Sequence, residues 1–325
     1  MKNSTETDYD YNFTGTSVPP CNIVDINQFG QTFLPPFYYF IFTVSLLGNG
    51  LVLFIIYKFE RLRTVTNIFL INLVVSNLIF SISLPFNAVY HTSEWIFGTV
   101  ICKMVGSTNT LGFYSSVLFL TLMTFDRYLA VVHVVVANKQ RHNCYAVTTT
   151  AVVWSVSVLG SLEPYFSLTV EDDPELGKIC EDHDPDNKIM STYPQFVLFF
   201  LFPLVVILYC YIRIGLRVVM TRVKGRHRTV KLIFVIVVLF FLCWTPYNVI
   251  LLMKEQAKDN LCDYSLSYPE YITHNIAHLY FCISPVFYTF LGRKFQNHVR
   301  RLLVQKVPCL KDHISFSTSS SRSFS

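Results

Sequence analysis

Seven long stretches of the chain contain no Asp, Glu, Lys or Arg and consist mainly of apolar residues. They are residues 34–57, 67–90, 104–125, 144–162, 189–212, 232–253 and 271–292. A helix needs about 20 apolar residues to cross the hydrocarbon core of a membrane, which is about 30 Å thick. One such stretch is compatible with a buried helix of a soluble protein, but seven in succession predict seven transmembrane helices, numbered here span 1 to span 7. Transmembrane β-strands are excluded because they are shorter and alternate between apolar and polar positions.

Composition and charge then set the protein class and the orientation. Charged residues make up only 14% of the chain, against about 25% in a typical soluble protein, which excludes a soluble enzyme, a disordered protein and a nucleic-acid-binding domain. One set of connecting segments holds 18 acidic and six basic residues: 1–33, 91–103, 163–188 and 254–270. The other set holds 20 basic and three acidic residues: 58–66, 126–143, 213–231 and 293–325. Because basic loops stay in the cytosol, we predict a membrane protein with an extracellular N-terminus and a cytoplasmic C-terminus.

Two other features agree with this orientation. The sequons for N-glycosylation, at Asn3 and Asn12, both lie in the predicted outer tail. Four of the nine cysteines lie on the predicted outside: Cys21, Cys102, Cys180 and Cys262. Disulfide bonds form in that oxidising environment, and four cysteines allow three pairings. A bond from Cys102 to Cys180 would tie the longest outer loop over the bundle.

The spans lack the residues that transport or catalysis needs. Pumps and ion-coupled transporters place ionisable residues inside the membrane, and no filter loop, charged ring, HExxH, CxxC or Gly-rich phosphate loop is present. We therefore expect no enzyme activity, no cofactor and no metal site. Proline lies inside four spans, at Pro85, Pro203, Pro246 and Pro285. Because proline kinks a helix, these positions indicate a bundle whose helices move.

An ordered set of short motifs follows the spans. It comprises Gly48-Asn49 in span 1, Asp126-Arg127-Tyr128 after span 3, Trp154 in span 4, Pro203 and Tyr211 in span 5, Cys243-Trp244-Thr245-Pro246 in span 6 and Ser284-Pro285-Val286-Phe287-Tyr288 in span 7. By this set, and over essentially its whole length, the chain resembles the class A (rhodopsin-like) G-protein-coupled receptors. The resemblance implies an all-α membrane protein, a seven-transmembrane helix bundle with a short amphipathic eighth helix.

Within that family the chain resembles the chemokine receptors. The motifs concerned are residues 126–133, Ser83-Leu84-Pro85, Trp95 with Phe97-Gly98, residues 226–234 and residues 244–248. Residues 226–234 and 274–277 make it most similar to the XC (lymphotactin) type, with the CC type next. The family's second outer disulfide joins the N-terminal tail to the start of span 7, so the resemblance implies a Cys21–Cys262 bond beside Cys102–Cys180.

The resemblance implies a receptor that binds a small basic secreted chemokine and activates an inhibitory-class heterotrimeric G protein, driving chemotaxis and calcium signalling. The acidic exterior fits this ligand, because opposite charge steers association. Tyr9 and Tyr11 lie among acidic residues of the tail and are candidate sulfation sites that contact the ligand. By family position, the ligand's N-terminus enters a pocket lined by Tyr38, Tyr90, Trp95, Asn109, Glu163, Tyr247 and His274. Related receptors carry Glu where this chain has His274, so Glu163 and His274 are alternative anchors.

The resemblance also implies an activation switch in which the ligand shifts the population of bundle conformations. Its members are Asp126, Arg127, Tyr128, Tyr211, Trp244, Pro246, Pro285 and Tyr288. Trp244 senses the floor of the pocket, and Arg127 is released from Asp126 to contact the G protein. Two positions in the spans depart from the family. Asn77 stands where Asp is usual, and Ser284 stands where Asn or Asp is usual. Since the family's sodium site uses that Asp, we expect no sodium effect. Arg226 likewise replaces an acid at the start of span 6.

The chain divides into four parts. Residues 1–33 form an extracellular tail, 34–292 the bundle, 293–304 an amphipathic helix on the membrane surface and 305–325 a cytoplasmic Ser-rich tail. Phosphorylation of that last tail by receptor kinases adds negative charge that recruits arrestin. Two further readings remain open: a decoy receptor that binds chemokine without signalling, and a receptor for a non-peptide ligand. The latter has no use for the acidic tail.

Overall fold

The computed structural model describes residues 24–60, 64–134, 143–174, 177–182, 193–221, 227–256, 266–291 and 296–299, and these are mostly helical. The longer helices are Val24–Phe59, Val65–Ile82, Leu84–Thr92, Gly98–Val132, Asn143–Gly160, Leu162–Ser167, Phe202–Thr221, His227–Gln256 and Ser267–Leu291. A π-helical turn, Val197–Leu201, precedes Phe202. We call the end of the bundle that carries Cys102 the outer end, and the end that carries Arg127 the inner end.

Six helical segments among the described residues are long and apolar enough to cross a membrane; they contain spans 1 to 4 completely and most of spans 5 and 6. The seventh helix, Ser267–Leu291, has 25 residues but includes His274, Asn275 and His278, which make it less apolar. Each predicted span therefore corresponds to a helix. Span 3 reaches from Gly98 to Val132 and extends beyond the uncharged stretch at both ends.

Proline and serine shape the outer half of span 2. The helix Val65–Ile82 ends before Ser83, and a second helix begins at Leu84 with Pro85 in its first turn. Proline is tolerated there because the first turn has no intrahelical partner for the missing N–H group. The Ser83 hydroxyl donates to the Phe80 carbonyl oxygen at 2.7 Å. Pro246 and Pro285, in contrast, lie inside continuous helices.

The spans pack together in an apolar core through aromatic contacts and through close packing at a glycine. The rings of Phe80 and Phe281 stack with centroids 3.7 Å apart, and those of Phe113 and Trp244 lie 4.1 Å apart. Gly112 of span 3 packs directly on the backbone of Phe80: a Cβ atom added to this glycine would lie 2.5 Å from the Phe80 nitrogen. The backbones of spans 2 and 3 therefore approach each other so closely at residue 112 that only glycine fits there.

The outer loop after span 4 forms a β-hairpin, which the sequence did not predict. Strand β1, Leu168–Asp173, pairs antiparallel with strand β2, Gly177–Asp182, so that Val170 lies opposite Cys180. The predicted Cys102–Cys180 disulfide is present, with Cα atoms 5.9 Å apart, and ties β2 to span 3. The backbone N–H of Lys178 donates to the Glu94 carboxylate at 2.8 Å. The hairpin is thus fixed to the bundle at two places.

Several predicted features lie outside the described residues and stay predictions. They are Asn3, Tyr9, Tyr11, Asn12, Cys21, Arg226, Cys262, the side chain of Tyr288 and the tail 305–325. Of the predicted amphipathic helix 293–304, residues 296–299 are described, and they are helical. His298 stacks on Phe59, with ring centroids 4.8 Å apart, and its Nε2 lies 3.2 Å from the Glu60 carboxylate. This segment therefore packs on the inner end of span 1.

Candidate functional site

A cluster of aromatic and histidine rings lies towards the outer end of the bundle, where spans 1, 2, 6 and 7 meet. Three of its members, Tyr38, Tyr247 and His274, were predicted as ligand-binding residues. Tyr247 and His274 have ring centroids 4.9 Å apart, and His274 and His278 4.5 Å. Tyr38 lies 5.7 Å from His91 and 5.8 Å from His278. The structure therefore brings these three predicted residues into one region.

The sequence prediction missed two members of this cluster, His91 and His278. His278 is only 1% exposed, and neither of its ring nitrogens has a hydrogen-bond partner among the described residues. Its position four residues after His274 places both on one face of span 7, which is the signal that could have identified it. His91 directly follows Tyr90 in the helix Leu84–Thr92. The direction in which this helix turns its side chains depends on the break between the two helices at Ser83, so His91 was not identified. No three His, Cys, Asp or Glu in the described part of the chain are arranged to hold a metal ion.

The other predicted pocket residues occupy different places. Asn109 and Tyr90 are half-buried, and Glu163 is exposed in the first turn of the helix Leu162–Ser167. Trp95 is only 1% exposed, because it packs beneath the hairpin with Cys102 and neighbouring aromatic rings. Its indole N–H donates to the Gly98 carbonyl oxygen at 2.9 Å. Trp95 therefore supports the hairpin, and its ring also meets that of Tyr90, with centroids 5.5 Å apart.

The β-hairpin carries a concentrated negative charge. Glu171, Asp172 and Glu181 are exposed, while Asp173 and Asp182 are half-buried. Because the hairpin is anchored by the disulfide and by Glu94, these carboxylates are presented from a fixed backbone rather than from a free loop. The arrangement provides an acidic surface at the outer end, suited to a basic partner.

Trp244 connects the outer cluster to the core. It is 5% exposed, stacks on Phe113 of span 3 and lies 6.2 Å from Tyr247 between ring centroids. Pro246 lies two residues further along the same helix. A displacement of Tyr247 would therefore reach a tightly packed tryptophan two residues before Pro246, and the sensing role of Trp244 stays a prediction.

A network of uncharged polar side chains occupies the centre of the bundle. Asn77 donates to the Ser284 hydroxyl at 3.0 Å and to the Asn49 side-chain oxygen at 3.3 Å. The Ser116 hydroxyl donates to the Asn77 side-chain oxygen at 3.0 Å. All four residues have no exposed surface. Buried polar groups are costly unless they are hydrogen-bonded, and here Asn77 and Ser284 satisfy each other directly.

This network predicts that sodium has no effect on agonist binding, because Asn77 supplies no negative charge and a hard cation prefers charged oxygen ligands. Replacing NaCl with N-methylglucamine chloride should change the dissociation constant of a labelled ligand by less than about twofold. The matched variant Asn77→Asp introduces a carboxylate among the same oxygens and should make binding sodium-sensitive. A clear sodium-dependent shift in the unchanged chain would contradict the prediction.

At the inner end, span 2 helps to hold Arg127 in place. Asp126 is 1% exposed, and its carboxylate lies 4.0 Å from the Arg127 guanidinium. The same guanidinium donates to the Thr66 hydroxyl, and that hydroxyl donates to the Asp126 carboxylate at 3.4 Å. The predicted Asp126–Arg127 pair is thus a three-residue group. Sequence reasoning missed Thr66 because it lies 60 positions before Asp126.

Two further switch residues, Tyr128 and Tyr211, join spans 3, 5 and 6 near this end of the bundle. The hydroxyl of Tyr128 shares a 2.9 Å hydrogen bond with Nε2 of His133. The Tyr128 side chain packs with Cys210 and Ile214 of the helix Phe202–Thr221. Tyr211 contacts the edge of Phe234 in span 6, with centroids 5.0 Å apart. Spans 5 and 6 also border an apolar groove of about 610 Å³ beside Pro246. Its wall includes side chains on the outside of the bundle, such as Leu242, so it faces the membrane.

Comparisons with known proteins agree with this architecture. Residues 48–288 match the model of the 7 transmembrane receptor (rhodopsin family). The chain is 36% identical over 296 residues to the C-C chemokine receptor type 4 of Homo sapiens, which covers 88% of this chain and 82% of that receptor. It is 34% identical over 322 residues to the C-C chemokine receptor type 3 of Cavia porcellus, covering 96% and 88% respectively.

Proposed function

The chain belongs to the rhodopsin family of seven-transmembrane receptors and, within it, to the chemokine receptors, and from this premise we propose that it binds an XC-type chemokine and activates an inhibitory-class G protein. It acts at the plasma membrane, with its N-terminus outside. The observation that carries the ligand proposal is the acidic β-hairpin, which is held rigidly at the outer end. Residues 226–234 and 274–277 favour the XC type.

Ligand binding takes place in two steps. The folded body of the basic chemokine contacts the acidic tail, including Tyr9 and Tyr11, and the exposed carboxylates of the hairpin. Its flexible N-terminus then enters the region of Tyr38, Tyr247 and His274. Charge complementarity chiefly accelerates association and selects the partner, whereas the ring cluster provides the contacts that differ between receptor conformations.

Activation is a shift in population between two bundle conformations. In the structure, Arg127 is held by Asp126 and Thr66, so its guanidinium is engaged within the bundle. Displacement of Trp244 changes the tilt of span 6 about Pro246, which alters the contact between Phe234 and Tyr211. Arg127 is then released and contacts the G protein, while Tyr211 and Tyr288 pack against the arginine. Receptor kinases and arrestin act later, at the Ser-rich tail.

A CC-type ligand is the second candidate, and the two relatives reported above favour it because both are named as C-C chemokine receptors. A decoy receptor that binds without signalling is the third. The Asp126-Arg127-Tyr128 sequence supports signalling, whereas Asn77 and Ser284 depart from the signalling pattern. Competition binding with lymphotactin and a panel of CC chemokines separates the first two candidates, and a G-protein assay separates the third.

Deleting residues 1–20 tests the chemokine proposal. We expect lymphotactin affinity to fall by about tenfold or more, because the deletion removes Asp8, Asp10 and both candidate sulfotyrosines while leaving Cys21 in place. Surface expression, measured with an epitope tag added at the new N-terminus, is the control. Unchanged affinity of the truncated receptor would indicate a ligand bound only between the helices and would contradict the two-step proposal.

A further inference from the structure

An ion pair joins the outer ends of spans 6 and 7. Nζ of Lys254 donates to the Glu270 carboxylate at 2.5 Å. Lys254 lies in the last turn of the helix His227–Gln256, and Glu270 in the first turn of Ser267–Leu291. Each charge complements the dipole of its own helix. Each charge is therefore stabilised by its own helix end even without the pair. Another charged group can thus replace one member of the pair at little cost in free energy.

The two partners differ in their surroundings. The Lys254 side chain is 50% exposed, whereas that of Glu270 is 25% exposed. Glu270 lies four residues before His274, so the two share one face of the helix Ser267–Leu291, and His274 in turn contacts Tyr247, with ring centroids 4.9 Å apart. The carboxylate thus lies one helical turn beyond the ring cluster, while the ammonium that neutralises it is the more exposed member of the pair.

We propose that Glu270 is the residue that binds the cationic N-terminal amine of the ligand, and that Lys254 occupies this carboxylate until the ligand replaces it. The proposal rests on the proposed function, because it requires a ligand whose N-terminus enters the bundle. In this exchange the Glu270 carboxylate loses a flexible, half-exposed lysine as its partner and gains a less exposed amine. It also separates the outer ends of two helices that contain Pro246 and Pro285, and so couples ligand binding to their movement.

The exchange explains how a pocket with histidine at residue 274 accommodates a positive charge. His274, His278 and His91 offer no negative charge, and the nearest carboxylate along span 7 is Glu270, one turn towards the outer end. Glu163, the carboxylate expected from the sequence, lies on the helix after span 4. The two carboxylates therefore lie beside different spans and are separable by mutation.

Competition binding with two forms of lymphotactin tests the proposal, one with its native N-terminal amine and one acetylated there. In the unchanged receptor, acetylation should lower affinity about tenfold, the scale of a hydrogen bond to a charged group. In Glu270→Gln, native lymphotactin should lose about the same factor, and acetylation should have no further effect. Lys254→Gln, which removes the competing cation, should raise affinity for the native form by about threefold.

The charge-swapped double variant, Lys254→Glu with Glu270→Lys, keeps an ion pair between the spans but moves the carboxylate to span 6. It should bind native lymphotactin as weakly as Glu270→Gln, and normal surface expression shows that it folds. Wild-type affinity in the swapped receptor, or an acetylation effect that persists in Glu270→Gln and disappears in Glu163→Gln, would overturn the proposal. If neither lymphotactin nor any CC chemokine bound the unchanged receptor, the proposed function itself would fail, and this inference with it.

Discussion

Replacing Arg127 with alanine should abolish chemokine-stimulated G-protein activation while chemokine affinity stays within about threefold of the unchanged receptor. The guanidinium contacts Asp126 and Thr66 at the inner end, far from the ring cluster of the pocket. Its removal therefore takes away the group that contacts the G protein in the proposed mechanism, without altering the ligand contacts. Nucleotide exchange in membranes and competition binding on the same preparation measure the two properties together.

Thr66→Ala is the matched variant for this prediction. It removes the hydroxyl that contacts both Arg127 and Asp126 but leaves the arginine in place. We expect raised activity without ligand, because the contacts that favour the resting conformation are weakened. Full signalling by Arg127→Ala would show that another residue contacts the G protein. Loss of signalling in both variants would indicate general damage to the inner end.

Replacing Gly112 with alanine should largely prevent surface expression. The added Cβ would lie 2.5 Å from the Phe80 nitrogen and 2.7 Å from its Cα atom. These are backbone atoms, so spans 2 and 3 must move apart, and overpacking of this kind costs about 1–3 kcal/mol or more. The separation would also disturb the Phe80–Phe281 stack and the network around Asn77.

Gly50→Ala is the control, because nothing lies within 4 Å of a Cβ atom added there. Both glycines are in membrane helices, so the gain in helix propensity from alanine is the same for each. Flow cytometry and thermal unfolding of detergent-solubilised receptor should show a loss for Gly112→Ala only. Equal behaviour of the two variants would contradict the close packing of spans 2 and 3.

The sequence predicted the helices well because the bilayer imposes a simple rule on them. Uncharged stretches of about 20 residues must form helices in lipid, and all seven correspond to helices. The β-hairpin escaped prediction because its residues form an acidic segment with no clear alternation of apolar positions. Its register depends on contacts far along the chain, the Cys102–Cys180 bond and the Glu94 carboxylate.

The site was only partly predictable for the same reason. Motif residues such as Arg127 and Trp244 were identified from their neighbours in sequence, but their partners lie on other helices. Thr66 and Phe113 carry no sequence signal that connects them to these residues. Trp95 was identified from its position in the first outer loop, but its packing beneath the hairpin, which leaves it 1% exposed, could not be predicted because the hairpin itself was not.

Inhibition of cyclic AMP accumulation tests the central claim most directly. Cells that express the chain are challenged with lymphotactin and a panel of CC chemokines, with Arg127→Ala and inactivation of the inhibitory G protein as controls. We predict a fall in cyclic AMP on addition of lymphotactin that both controls abolish. Specific chemokine binding without a response would indicate a decoy receptor, and neither binding nor response across the panel would contradict the assigned ligand class.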